Sequence, residues 1–579
     1  MSEQNLKNGT AINVDSAKSS IRAGFLIILL LTIVTRLWVA GAGDLIYDEA
    51  FMFDGASRPH MSGMLDYLGE VEFHPPLSYI FLHWWIPIAG KSEFLLRLLP
   101  AGFNILTVFM AALMMAFLWG PGPAFLTGVL MVFSPYQLQY GCELRMYSQL
   151  QFFTLAGAYC GWRWLRPFAE IPPDGTFSAE NPTSATIPPV SSHPVRDCLA
   201  GAVDSSRSGL SWLFAAWVAF VLGLYSHYYA FFALLATALW VLLQKHADTG
   251  RFSTALKWGG ALLIVPLLCF IPWISEAMRA AADKWPSVMP AFDLLSIPDF
   301  IRKMVSGNFY VQTWDFLFAK LAVFTLLLGG CGAIVSGIRK SSGTGRGEYG
   351  GIVAVHLAVP LIGQYLFALK FGTFIPKYAI SSAPFAVMLT VGGIWYLSKP
   401  LLSFFSTHSE VESESDKEIL GKPFVSVALI TLLLLSAQWP FFRTQMEYFR
   451  TNWTQVGKWL SSEFKDGDLC LVSLPGRTVN LSFYAPSVKR VQGVLAESFV
   501  RECDAVVASA SRIWLVLVQS EVKDPQGTIQ TALDSRMVRK LDSVARDNSG
   551  LSVQVILYTK EKKEAVVLPK SEIKIEDSK

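Results

Sequence analysis

Long apolar segments set the terms for everything else in this chain. Runs of the length that crosses a bilayer as a helix recur near 23–42, 94–118, 123–138, 147–165, 210–226, 229–244, 258–275, 319–338, 351–370, 379–398 and 424–441. In lipid every backbone polar group must be satisfied internally. No alternating barrel pattern is present, so about eleven spanning helices are expected. The composition agrees: of 579 residues 52% are hydrophobic and 16% charged, against about 25% charged in soluble domains. The net charge of +3 points to no particular partner. No basic tract interleaved with aromatics is present, which speaks against nucleic-acid binding.

Lys and Arg orient the spans. With the N-terminus (1–22) inside, the inner loops hold Arg163, Arg166, Arg196, Arg207, Lys245, Arg251, Lys257, Arg339, Lys340, Arg346, Lys399, Lys417 and Lys422. That is the positive-inside bias. Residues 1–22 show no signal-peptide cleavage pattern, so the first span is expected to stay as an anchor. The apolar segment Pro75 to Ala89 is short and begins with two prolines. Counting it as a span would invert every later loop, so it reads as a helix lying along the outer face or re-entering it. The stretch 43–93 is then one long outer loop. The Pro-, Ser- and Thr-rich segment 166–209 reads as an inner linker, 276–318 as a second outer loop and 404–422 as a charged inner loop.

From about residue 445 the composition becomes that of a soluble domain. Trp453–Phe464 reads as a helix, and Leu469–Val472, Arg512–Gln519 and Leu551–Tyr558 as strands. Thr528–Ala545 has helical spacing. Alternating helix and strand predicts a small three-layer α/β domain over 445–560, outside the membrane because the span count is odd, with a disordered tail at 561–579. Of seven cysteines, none forms a CxxC pair. Cys160, Cys269 and Cys331 read as small core residues, and Cys470 and Cys503 are candidates for pairing.

Directly after the first span comes Gly43-Asp44-Leu45-Ile46-Tyr47-Asp48-Glu49-Ala50, which places two adjacent carboxylates at the outer face. The same face collects Asp44, Asp54, Arg58, His60, His74, Glu143, Arg145, Tyr147, His227, Lys370 and Lys377 from several connections. Ionisable groups at a membrane are costly and tend to be functional. Each has a plainer reading. Asp48 and Glu49 can be a solvated loop, Glu143 and Arg145 a local ion pair at a water-exposed helix start. His227 can be a packing residue, and Lys377 a charge flanking a span. Their convergence on one face outweighs these. His74, His227 and a carboxylate can hold a divalent metal, but the spacing fixes no site.

The ordered series Tyr47-Asp48-Glu49-Ala50, His74-Pro75-Pro76-Leu77, Ser92 to Pro100, Ser134-Pro135-Tyr136 and Glu143 to Ser148 resembles the motifs of GT-C glycosyltransferases. The nearest groups are protein O-mannosyltransferase-like and lipid A aminoarabinose transferase-like enzymes of the broad bacterial set of membrane sugar transferases. The resemblance covers about residues 23–165 and continues through Tyr225-Ser226-His227-Tyr228 and Lys377-Tyr378-Ala379. It implies a polytopic α-helical membrane protein of GT-C architecture (23–444) with about 11–13 transmembrane helices, multi-pass in the cytoplasmic membrane. It further implies a polyprenyl-phosphate-sugar donor reached from within the bilayer and transfer on the outer face. The acceptor is a protein, a lipid-linked glycan or a glycolipid. Asp48 serves as base with Glu49 orienting the acceptor or a neighbour. Arg145, Lys377, His74 and Arg58 bind the donor phosphate, and Glu143, Tyr147, His227 and Tyr378 bind substrate. Trp84 and Trp85 can stack on sugars or sit at the interface. A single base and direct displacement would invert the anomeric centre. The chain departs from the pattern at His74, where the aminoarabinose transferases have Lys, and at Lys377, where many relatives have Arg. Phosphate contact by His74 would then depend on its protonation. Two rivals are a lipid-linked sugar flippase and a membrane-anchored assembly protein. A flippase is expected to hold its polar groups near the midplane, often with repeated halves, and no repeat is visible here.

Overall fold

The computed structural model describes residues 3–72, 74–165, 209–279, 347–371, 376–406, 453–518, 524–546, 552–560 and 571–572. The expected spans 319–338 and 424–441 lie outside the described residues, as does Cys331. So, apart from a few end residues and Ser571–Glu572, do the segments 166–209, 276–318, 404–422 and 561–579. The chain divides into two compact, discontinuous units. One holds 1–37, 68–78 and 100–442, the other 38–67, 79–99 and 443–579.

Helices in chain order are α1 (Glu3–Ala40), α2 (Tyr47–Ala56), α3 (Met61–Val71), α4 (Leu77–Ala89), α5 (Glu93–Trp119), α6 (Pro121–Phe133), α7 (Pro135–Cys142) and α8 (Tyr147–Leu165). There follow α9 (Gly209–Ser226), α10 (Ala230–Thr249), α11 (Phe252–Arg279), α12 (Gly347–Phe371), a 3-10 turn (Pro376–Ser382) and α13 (Ala383–Ser406). Among the described residues six helical segments are long and apolar enough to cross a membrane: Ile21–Ala40, Glu93–Trp119, Gly209–Ser226, Ala230–Ala247, Phe252–Arg279 and Gly350–Lys370. They match six of the expected spans. Leu26, Leu30 and Val34 of α1 and Leu267, Ile271 and Ile274 of α11 point outward, as they would toward lipid.

The expected spans 123–138, 147–165 and 379–398 are helical but are not among those six. The first breaks at Ser134–Pro135, because Pro135 lacks an N–H and Ser134 Oγ starts a new helix by accepting from Gln137 N at 3.4 Å. The second, α8, buries Gln149, Gln151 and Arg163 and so is less apolar than a simple span. The segment expected along the outer face is α4, with 13 residues too short to span. Cys160 is half-buried and Cys269 on α11 is exposed, so Cys269 is no core residue.

In the first unit, close helix packing rests on α8. A Cβ on Gly157 would meet the Phe220 ring of α9 at 2.7 Å, and one on Gly161 would meet Thr237 of α10 at 2.6 Å. Small residues one turn apart thus let two helices approach one face, as in membrane packing generally. Arg36, alone among the charges of the first span, is fully buried. It donates to Met131 O at 3.0 Å and Val132 O at 2.6 Å, carbonyls that the end of α6 leaves open. Its Nε donates to Asn104 Oδ1 at 2.8 Å. Asn104 Nδ2 reaches Gln137 Oε1 at 3.1 Å, and Gln151 Nε2 reaches Ile380 O at 2.9 Å. A cation that reads as an interruption of α1 therefore completes the backbone of another helix.

The second unit contains the C-terminal sheet: β1 (Leu469–Val472), β2 (Val491–Gly493), β3 (Arg512–Val518), β4 (Val538–Arg546), β5 (Ser552–Thr559) and β6 (Ser571–Glu572), in the order β2-β1-β3-β5-β4-β6. Pairing is parallel for β2, β1 and β3, antiparallel for β3–β5 and β5–β4, and parallel for β4–β6. Alternation along β3 decides the layers. Ile513, Leu515 and Leu517 face a core with Phe499 of α16 (Ala496–Ser509) and Leu533 of α17 (Thr528–Asp534). Trp514, Val516 and Val518 face Trp453, Val456 and Leu460 of α14 (Trp453–Glu463) and Leu481 of α15 (Thr478–Tyr484). This is the expected three-layer arrangement.

Three details differ from expectation. Thr528–Ala545 is not one helix, since α17 stops at Asp534 and β4 begins at Val538. A register shift between Arg539 and Leu541 breaks the strand's alternation. Leu533, Met537, Leu541 and Val544 consequently fall at helical spacing although they belong to three different structures. Cys470 and Cys503 are both free, buried in the cores on opposite faces of the sheet. Within the expected tail, Ser571 and Glu572 pair with Ser543 and Val544.

Candidate active site

The acidic stretch lies in the second unit. Gly43 turns the chain with φ +78°, and Ile46 caps α2, making Asp48 its second residue and Glu49 its third. Carboxylates in a first turn are favoured by the exposed N–H groups and the helix dipole. Glu49 Oε2 reaches back to accept Ile46 N at 2.9 Å, one half of a capping box. Arg97 of α5 clasps the same carboxylate with two prongs, Nε to Oε1 at 2.8 Å and Nη2 to Oε2 at 2.6 Å. Both side chains are essentially inaccessible. Arg97 also donates to the carbonyls of Gly43 and Asp44, each at 2.8 Å. Glu49 thus orients a neighbouring loop, while Asp48 is half-buried beside it.

Other groups of this unit that the sequence reading places in the first outer loop have local tasks. Arg58 pairs with Asp54 at 3.1 Å and lies 4.6 Å above the Tyr67 ring. Trp85 donates to Leu95 O at 2.7 Å, Trp84 is exposed and so is His60. Arg97 has no role in the sequence reading. Its signals are a charge in the first turns of an apolar helix and its place in the Ser92 to Pro100 motif.

In the first unit a second set comes together from segments far apart in sequence. His74 and His227 have ring centroids 5.0 Å apart, and Tyr378 lies 5.9 Å from His74 and 4.7 Å from His227. Tyr229 flanks His227 at 5.2 Å and Tyr147 flanks Tyr378 at 6.5 Å. Lys377 Nζ stands 5.3 Å over the Tyr147 ring. Arg145 and Lys377 both act electrostatically on His74 and on His227. Arg145 is buried and ion-paired with Glu72 at 3.5 Å. The plainer reading of Glu143 and Arg145 as a pair at a water-exposed helix start does not fit: both side chains are buried, and Arg145 N donates to Glu143 O at 2.6 Å. Glu72 is the residue that sequence reasoning misses, hidden in a short acidic run before His74. Lys370 ends α12 exposed. Among the described residues no three His, Cys, Asp or Glu side chains come together as metal ligands.

His227 Nδ1 accepts from Tyr229 N at 3.1 Å, which places the ring proton on Nε2. That Nε2 is buried with no hydrogen-bond partner among the described residues. Burial first, then Arg145 and Lys377, pull His227 down to about 3, and burial, His227 and the same cations hold His74 well below the usual range. The unfolded chain takes up these protons below about pH 6.5 and the folded one does not. Their contribution to stability is thus fully present above about pH 6.5 and is lost as pH falls below it, for His227 down to about 3 at about 1.4 kcal/mol per pH unit. His227→Gln is expected to flatten the fall in melting temperature between about pH 6.5 and 4.5 in detergent. An acid slope as steep as wild type would remove His227 from this account.

No known protein family matches the sequence, and no curated protein matches it. Solved structures do. The archaeal oligosaccharyltransferase AglB from Archaeoglobus fulgidus, solved with an inhibitory peptide and a dolichol-phosphate, aligns with TM-score 0.52 and 11% identity over 95% of this chain and 75% of that one. ArnT from Cupriavidus metallidurans in the apo state aligns with TM-score 0.52 and 12% identity over 92% and 98%. The same protein bound to undecaprenyl phosphate gives TM-score 0.50 and 13% over 92% and 97%. With these likenesses and the apolar helices above, the chain has the polytopic GT-C membrane fold with a small C-terminal sheet domain.

Proposed function

We propose that the protein is a membrane glycosyltransferase that moves one sugar from a polyprenyl-phosphate donor to an acceptor hydroxyl on the outer face of the cytoplasmic membrane. The observation that carries this reading is the meeting of Arg145 and Lys377 with the His74 and His227 imidazoles and the Tyr147 and Tyr378 rings. Cations in a buried setting suit a lipid phosphate that leaves with its bonding electrons. The dolichol-phosphate and undecaprenyl phosphate in the AglB and ArnT structures are the same class of lipid.

Asp48 takes the acceptor's proton. The acceptor oxygen bonds to the anomeric carbon, the bond from that carbon to the phosphate oxygen breaks, and the configuration inverts. Arg145 and Lys377 stabilise the departing phosphate, and His74 and His227 offer neutral N–H groups. The placement of the polar residues on one face in the sequence reading and the absence of a visible repeat weigh against a flippase. The test is the purified protein in oriented vesicles, given a panel of polyprenyl-phosphate sugars and membrane-impermeant protein, glycan and glycolipid acceptors. Sugar transfer with release of polyprenyl phosphate is expected only where the outer face meets the acceptor. Movement of the lipid with no transfer across the panel would replace this reading with the flippase.

A further inference from the structure

The loop that leads into Asp48 is gripped by the C-terminal sheet domain, within the second unit, at residues the proposed chemistry does not use. Asp44 is buried, and its carboxylate accepts Thr454 N at 2.9 Å and Thr454 Oγ1 at 2.6 Å, in the first turn of α14. That is the way a helix N-terminus receives an anion. The next residue is held at both its backbone groups by α15: Leu45 N donates to Tyr484 Oη at 2.5 Å, and Leu45 O accepts Asn480 Nδ2 at 3.1 Å. Asn480 is fully buried, so its amide has no water to turn to. The two helices that do this hold each other closely. A Cβ on Gly457 of α14 would lie 2.5 Å from the backbone oxygen of Tyr484, which only glycine allows. A further ledge from the same domain lies against Tyr47: Arg477 stands 4.9 Å over its ring, and a Cβ on Gly476 would meet its hydroxyl at 2.6 Å.

Residues 44–46 are therefore pinned by Arg97 at the Asp44 carbonyl, by Tyr484 and Asn480 at the Leu45 amide and carbonyl and by Glu49 at the Ile46 amide, while Thr454 holds the Asp44 carboxylate. Loops on a surface ordinarily keep several such groups in water. Fixing these groups before the first turn of a ten-residue helix determines where the second residue of that helix stands. We propose that α14 and α15 are the positioning element for Asp48, with Thr454, Asn480 and Tyr484 as positioning residues, so that the C-terminal domain acts in transfer by placing the base. This rests on the reading of Asp48 as base.

The test uses the full-length protein in nanodiscs and two variants that remove one hydroxyl each, Tyr484→Phe and Thr454→Val. Small misplacements of a reacting group cost up to about 100-fold. Each variant is expected to lower kcat about 10- to 100-fold, leave the KM for the polyprenyl-phosphate sugar unchanged, and cause no further loss in an Asp48→Asn background. Amide exchange over residues 44–50 should speed up in both variants. Wild-type kcat in both variants, or an equal proportional loss with and without Asp48, would overturn the proposal. Should the wild type transfer no sugar, the function reading fails by itself, and amide exchange still decides: unchanged protection of 44–50 in both variants refutes positioning, faster exchange supports it.

Discussion

Asp48→Asn lowers transfer by about 10²–10⁴-fold with folding intact, the loss typical of a removed general base. Asn matches Asp in shape, and the loop ahead of it is held by Arg97, Glu49 and the C-terminal domain. The neighbouring Glu49→Gln behaves differently. It leaves the Arg97 guanidinium buried without its counter-charge, which costs about 3–5 kcal/mol in comparable buried pairs. Its signature is a lowered melting temperature, with turnover falling only as the folded population falls. Turnover and thermal melting measured together on the two purified variants separate a chemical carboxylate from a structural one. Near-normal turnover in Asp48→Asn would remove Asp48 from the mechanism.

That contrast was half legible in the sequence. Two adjacent carboxylates after a span are visible as a pair, but their division of labour depends on Arg97, 48 residues away. Helices such as α5 and α9 are easy to read because lipid permits no other backbone, and β3 because Ile513 to Val518 is apolar on both faces. What misleads is local disturbance of a period, as at the Arg539–Leu541 irregularity that gave α17 and β4 a common helical spacing. Pairing across distance is also invisible: Glu72 with Arg145, Arg36 with the end of α6, and Cys470 kept from Cys503 by the sheet between them. The convergence of His74, Arg145, His227 and Lys377 was expected from their shared face. Their neutral imidazoles were not, because depth of burial cannot be read from residue type.

Arg145→Ala is expected to weaken donor binding and slow transfer together, by about 10²–10³-fold in turnover, the scale for losing one charge-stabilising donor. Its attraction grows as charge develops on the departing phosphate, so the transition state loses more than the ground state. The difficulty is that Arg145 also holds the buried carboxylate of Glu72. Removing either partner strands the other, at about 3–5 kcal/mol, and a purely structural role would make both variants equally poor. Donor affinity separates the cases by sign. Glu72→Gln leaves the guanidinium and removes a negative charge, so a phosphate is bound more tightly even as the fold loses stability. Arg145→Ala destabilises the fold and binds the phosphate less well. Arg145→Lys restores charge but not a planar two-pronged contact, so rescue is partial. Polyprenyl phosphate affinity measured at a temperature where all three variants remain folded decides the matter. Wild-type affinity in Arg145→Ala, or equal weakening in Glu72→Gln, would leave Arg145 as a buried ion pair and no more.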